Sequence, residues 1–322
     1  MKLRLLPLLL TTALPLAAVA DGPIDGDVYG KINLTLDNFD KSYDNPAGND
    51  YDEWQLNSNA SRFGFEGKTA LSDSLNVIYQ LEWEVSTDGD GTDLKARNRF
   101  IGLEGGFGQV IGGQHDTPTK LAQNKIDLFN DLNGDIKNTF EGENREKNIV
   151  MYSTPSSLGG FTASLAFIPG EDGEADGDDG LADGKSLSVG YDSDNIYVVV
   201  AVDRDVDDLD LERVVGQFTF GAFTLGAMVQ QAEESNGTKE ESGAFVSGAF
   251  KFGNNTVKAQ FGTNDIEDGT ADSEEETLSL GFDHKLGKKT KLFAYYTSNI
   301  DTNNANDETE ETTLGVGIEH KF

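Results

Sequence analysis

Strict alternation of apolar and polar side chains, repeated from one end of the chain to the other, constrains this sequence more than any other feature. Val28, Gly30, Ile32, Leu34 and Leu36 interleave with Tyr29, Lys31, Asn33, Thr35 and Asp37. Leu75, Val77, Tyr79, Leu81, Trp83 and Val85 interleave with Asn76, Ile78, Gln80, Glu82 and Glu84, and Leu314, Val316, Ile318, His320 and Phe322 repeat the scheme. Successive side chains of a strand point to opposite faces, so these segments are strands with one apolar face. About sixteen of them can be placed. They lie near 27–37, 60–70, 74–85, 96–104, 108–114, 147–153, 161–168 and 185–191, then 195–202, 211–220, 223–231, 242–252, 256–263, 275–285, 290–298 and 312–322.

The connections alternate as well. Short turns such as Leu71–Asp73, Gly105–Phe107, Gly253–Asn255 and Gly287–Lys289 take turns with long polar stretches. The latter include Asn38–Asn59, Ser86–Lys95, His115–Glu146, Asp203–Asp210, Ala232–Glu241, Thr263–Ser273 and Asn299–Glu311. Short turns on one side and long loops on the other suit an all-β fold, a transmembrane antiparallel β-barrel with its loops outside the cell. A soluble β-sandwich would alternate too, but nothing in its packing makes loop lengths alternate. There is no linker between folded halves, so 21–322 is expected to be one domain.

Composition agrees with that class. Only 37% of residues are hydrophobic, as expected where every second strand residue faces a polar lumen. Residues 1–20 read as a secretory signal: Lys2 and Arg4, an apolar run, then Ala18-Val19-Ala20. No later run of about eighteen apolar residues offers a transmembrane helix. A formal charge of −32 makes nucleic acid a poor partner, and the absence of cysteine removes thiolate chemistry and disulfides.

The connection from His115 to Glu146 stands out. It carries Asp127, Asp131 and Asp135 at four-residue spacing, ahead of Arg145. Long loops in compact proteins are usually functional or disordered. Leu121, Ile126, Leu128, Phe129, Leu132, Ile136 and Phe140 give this one the means to pack. Strand parity meanwhile turns basic residues inward. Arg62 shares a face with Glu66 and Lys68 while Phe63 and Phe65 take the other, Lys31 opposes Ile32, and Arg97 and Arg99 oppose Asn98 and Phe100. An arginine on the lipid face near the midplane would cost roughly 2–4 kcal/mol.

At these residues the sequence resembles the general porins of Gram-negative outer membranes. The pieces that carry the likeness are Tyr29-Gly30-Lys31, Ser61-Arg62-Phe63-Gly64-Phe65-Glu66-Gly67 and Arg97-Asn98-Arg99-Phe100-Ile101-Gly102-Leu103. Further pieces are Thr117-Pro118, Asp127-Leu128-Phe129, Asn144-Arg145, Tyr152-Ser153-Thr154-Pro155 and Phe322. The resemblance implies a barrel of about sixteen strands, usually a homotrimer in outer-membrane lipid, whose third long loop folds into the pore. It implies a channel for passive diffusion of small hydrophilic solutes and ions, with no cofactor and no catalysis. By position it assigns Lys31, Arg62, Arg97 and Arg145 to a basic wall and Asp127, Asp131 and Asp135 to the facing loop. Arg99 joins the basic set by parity alone. Phe322 resembles the signature read by the outer-membrane assembly machinery. Where such porins often carry an arginine before the glutamine ending the fifth strand, this chain has Gly113-Gln114.

Other functions remain open to the sequence. A substrate-selective porin for oligosaccharides or phosphate would share the fold, although no aromatic ladder marks its lumen. An adhesin or phage receptor without pore function would share it also. Asp88–Asp93 and the run from Asp172 to Gly180 resemble calcium loops only loosely, lacking the twelve-residue pattern with its terminal glutamate. Of the three histidines, His284 and His320 lie on apolar parity near strand ends and His115 stands at a loop entrance, which lends catalysis little support, although the partners of a Ser-His-Asp arrangement meet in space rather than in order.

Overall fold

The computed structural model describes residues 25–45, 48–91, 93–123, 125–171, 180–269 and 271–322. The expected signal segment 1–20 and most of the acidic run from Asp172 to Gly180 lie outside them. The chain forms β1 Asp25–Tyr43, β2 Tyr51–Ser58, β3 Arg62–Ser72, β4 Leu75–Val85, β5 Leu94–Gly105, β6 Gly108–Asp116, β7 Arg145–Ser153, β8 Phe161–Ile168 and β9 Gly184–Asp192. It continues with β10 Ile196–Val206, β11 Leu209–Phe220, β12 Phe223–Glu234, β13 Glu240–Phe252, β14 Asn255–Glu267, β15 Ser273–Lys285, β16 Thr290–Asn303 and β17 Glu308–Lys321. A short helix, α1 Pro118–Gln123, follows β6.

Apart from β2 and β3, each strand pairs antiparallel with its sequence neighbour, and β1 also pairs β17 from Lys31↔Lys321 to Tyr43↔Thr309. That pairing closes the sheet into a barrel, which removes free edges. β2 and β3 are two halves of one strand. Both pair β1, Tyr51–Ser58 against Lys41–Leu34 and Arg62–Lys68 against Lys31–Asp25. The break falls at Asn59–Ser61, where Ala60 takes a left-handed φ of 47°. Counted in this way the barrel has sixteen strands.

Burial is inverted relative to a soluble domain. Val28, Ile32, Leu36, Phe65, Ile101 and Val200 are exposed, whereas Asn33, Thr35 and Asp37 are buried. The solvent for the apolar face is lipid, so its exposure is what a spanning barrel requires. Aromatics gather at the short-turn rim, where Phe223 and Phe250 face one another at 4.6 Å and Phe252 stacks on Phe250. Tyr79 lies mid-strand opposite Gly67.

Several stretches expected as long loops are strand. β10 and β11 meet across a turn at Asp207 and Asp208, both with positive φ, so Asp203–Asp210 is a tight hairpin. Within Asn38–Asn59 and Asn299–Glu311, pairing continues through Asp40↔Thr312, Lys41↔Glu311 and Ser42↔Glu310. Beyond the bilayer both faces of a strand meet water, so the ladder continues after the apolar alternation has stopped.

Candidate pore constriction

The stretch between β6 and β7 lies inside the barrel. It starts at α1, where Pro118 holds the first helical position and Thr117 Oγ1 accepts from Lys120 N at 3.2 Å. Two sets of contacts hold it to the inner wall. Ile126, Ile136 and Phe140 pack against Val215, Met228 and Phe245, which face inward on β11, β12 and β13. Phe129 and Leu132 pack against Phe293 and Tyr295 on β16. These inward apolar side chains depart from the usual lumen polarity, and the loop covers them.

Polar anchors complete the attachment. Lys258 Nζ donates to Leu128 O at 2.6 Å, and Gln260 both accepts from Leu128 N and donates to Gly134 O. Asn133 reaches Thr313 at 2.7 Å. Arg213, fully buried, donates to Glu143 Oε1 at 2.8 Å, to Glu141 O at 2.8 Å and to Gln230 Oε1 at 2.7 Å. Gly142 between the two glutamates has φ +88°, and a Cβ there would stand 2.5 Å from Leu211. Only glycine fits that crossing.

The loop delivers one carboxylate to the basic wall. Asp131 Oδ2 lies 2.6 Å from Lys31 Nζ and 3.6 Å from Arg62 Nη1. Its left-handed φ of 68° is held by its own N–H, which donates to Asp135 Oδ2 at 2.8 Å. Burial alone would push the Asp131 carboxylate up, but Lys31 and Arg62 outweigh it and hold the group below its ordinary range. Asp131 is therefore ionised at neutral pH.

The other two loop aspartates work within the loop. Asp127 accepts from Phe129 N at 2.9 Å and Ile136 N at 3.3 Å; burial first, then repulsion from Asp135, pushes it up to about 7. Asp135 caps the turn at Ile136–Asn138 by accepting from Lys137 N at 3.0 Å. Of the three expected carboxylates, Asp131 alone pairs with the basic wall, Asp135 borders the same open volume, and Asp127 lines the cavity on the other side of the loop. The reason is local: from Asp127 to Asp135 the loop is not helical, so a four-residue spacing does not put side chains on one face.

On the wall, Arg97 pairs with Glu82 at 2.7 Å and Glu84 at 3.0 Å, and Arg145 pairs with Asp116 at 2.9 Å and Asn98 at 2.8 Å. Arg62 approaches Glu82 at 3.8 Å. Arg99 departs from expectation. β5 carries one extra residue between the pairs Leu81↔Arg99 and Trp83↔Ala96. This bulge leaves Arg97 and Asn98 both facing in, and turns Arg99 onto the face of exposed Leu81 and Ile101, where it donates to Gln114 at 2.7 Å. Phe100 consequently faces inward, packed on the cluster of Ile78, Ile111, Ile149 and Met151.

Parity alone could have placed Glu82 and Glu84 on the wall, since they share the inner face of β4 with Gln80. Asp116, Glu143 and Arg213 gave no comparable signal, because their partners come from distant strands. Arg62, Arg97, Arg145 and Asp131 border an open volume of about 670 Å³. Asp88, within a candidate calcium loop, instead accepts from Ser58 N and Ser86 Oγ, both at 2.6 Å, and ties that turn together.

A closed barrel with a lipid-facing apolar surface and an inner loop stapled beside an open charged passage defines an outer-membrane channel. The sequence profile of the Gram-negative porin family matches residues 8–320, and the chain belongs to that family. The major outer membrane protein P.IB of Neisseria lactamica is 25% identical over 356 residues, covering 100% of both chains. The anion-selective porin from Comamonas acidovorans superposes with a TM-score of 0.74 at 20% identity, covering 93% of this chain and 100% of that one. OmpT of Vibrio cholerae in its trimer form gives 0.68 at 18% identity, covering 93% and 99%. The protein is a porin of the bacterial outer membrane, crossing it by strands.

Proposed function

We propose that the channel passes small hydrophilic solutes and ions by passive diffusion, and that its selectivity is set where Asp131 meets Lys31 and Arg62. The observation that carries this reading is the loop carboxylate held against two wall cations beside an open passage. Opposed fixed charges with low-dielectric protein behind them create a transverse field across a narrow water path. A polar solute finds compensation at either wall, whereas an apolar one must displace oriented water and gains nothing. Arg97 and Arg145 line the same passage, but Glu82, Glu84 and Asp116 offset their charge. Such a balanced constriction favours weak ion preference, unlike the anion selectivity named for the Comamonas porin.

The reading assigns no catalysis. It takes the chain as a homotrimer, supported by the trimer form of the Vibrio protein. It takes 1–20 as a removed signal and Phe322 as the feature recognised during membrane assembly. Reconstitution into planar bilayers, with liposome swelling in sugars of graded size, tests it. Conductance steps in groups of three and size-limited swelling are expected. Folded, heat-modifiable protein that leaves both membranes impermeable would overturn the channel and favour an adhesin or phage receptor.

A further inference from the structure

Charge is segregated along the barrel axis. At the long-loop end, a cavity between β10 and β14 is lined by seven carboxylates against one cation, Arg204. At the short-turn end, a cavity of about 730 Å³ below the inner loop is lined by eight lysines and four carboxylates. Eight of the chain's 25 basic residues thus converge on one mouth of a molecule whose formal charge is −32.

Two of the four carboxylates there are paired with lysines, and Asp127 is held by backbone N–H groups of the inner loop. Asp283 is shared between Lys258 and Lys291, each at 3.4 Å, and Glu319 lies 3.7 Å from Lys321. Among the described residues, Lys251 on β13 and Lys285, Lys288 and Lys289 around the β15–β16 turn face this cavity with no ion pair. No arginine lines it. Flexible ammonium groups without a planar fork or a stacking surface suit compact oxygen-rich anions carrying several charges. Single exposed contacts of this kind are weak and screened, so useful affinity needs several together at modest ionic strength.

We propose that the short-turn mouth is a binding site for compact multivalent oxyanions, of phosphate or polycarboxylate type, entering from that side. The inference rests on the channel reading but not on the role given to Asp131. The acidic opposite end repels the same anions, so block of ion current is one-sided.

The chain has no cysteine, so Asn236→Cys in the β12–β13 hairpin, labelled with biotin and capped by streptavidin, reports the orientation of each channel. Citrate and pyrophosphate are then added at low salt to one compartment at a time. Half-block is expected at on the order of 1 mM from the short-turn side, and only at far higher concentration from the other. Lys285, Lys288 and Lys289 are exposed, so their joint replacement by Gln should leave folding and unblocked conductance intact. It should raise the half-blocking concentration about ten-fold, as expected on removing three weak charge interactions. Asp131→Asn should leave the block unchanged. Equal block from both sides, block by only one of the two anions, or block indifferent to the triple replacement would overturn the site. A channel that conducts without being blocked sinks this inference alone, whereas failure to conduct sinks the channel.

Discussion

Lys31 Nζ and Asp131 Oδ2, from residues 100 positions apart, lie 2.6 Å from one another with both side chains nearly excluded from solvent. The contact joins β1 to a loop that enters after β6, so it fixes the loop tip in space as well as in charge.

Asp131→Asn removes that carboxylate while keeping its shape. Lys31 and Arg62 then lose their loop partner, and the passage gains net positive charge. One elementary charge at about 4 Å in water is worth about 1 kcal/mol, so the anion-to-cation permeability ratio should rise about five-fold. Reversal potentials across a salt gradient measure it. An unmoved potential would remove Asp131 from the selectivity of the pore.

Asp127→Asn should behave differently, although the residue sits only four positions earlier. The folded carboxyl is pushed up to about 7, above the roughly 3.9 of an unfolded chain. Between those values the folded state holds a proton that the unfolded state releases. The group's contribution to stability is therefore greatest below about pH 4 and falls as pH rises through 7. Thermal unfolding of the wild type should show that fall, and the Asn variant should lack it. Reversal potential at pH 6 should not change.

Arg213→Met leaves Glu143 buried without its cation. Breaking a buried pair from one side costs about 3–5 kcal/mol, expressed here as a lower heat-modification temperature and noisier open-channel current as the loop loosens. Burial pushes the Glu143 carboxyl up while Arg213 opposes it. Adding Glu143→Gln to the Met variant should therefore recover part of the loss, and no recovery would mean that Arg213 acts by packing alone.

Gly30→Val introduces a side chain where a Cβ would already stand 2.2 Å from the Phe322 ring. Folding yield in detergent, read by heat-modifiable mobility, should drop sharply. The Arg62 carbonyl oxygen would also stand 2.7 Å from that Cβ, so pairing Gly30→Ala with Phe322→Ala should restore only part of it.

The lipid-facing surface was legible because a bilayer enforces one apolar face on every spanning strand, as in Val28, Ile32 and Leu36. The same rule fell silent above the membrane, where Lys41 and Glu311 pair at 2.6 Å between two wet faces. Lys31, Arg62, Arg97 and Arg145 were placed on the inner wall from parity and resemblance, and they lie there. Arg99, placed there by parity alone, faces the other way, since a single extra residue in β5 reverses parity and alternation does not announce a bulge. The loop aspartates differ in role through backbone direction, which spacing does not encode once the helix ends at Gln123.

The ring closes where Gly30 and Phe322 exchange backbone hydrogen bonds of 3.3 and 3.0 Å. Among the described residues, every other ladder joins sequence neighbours, so hairpins can form one by one from local contacts. The seam between first and last strands demands the longest loop closure in the molecule and gains its hydrogen bonds only after that entropy has been given up. Zipping this seam carries the largest chain-entropy cost of any ladder in the barrel, and once zipped it leaves no loose end from which the barrel can peel.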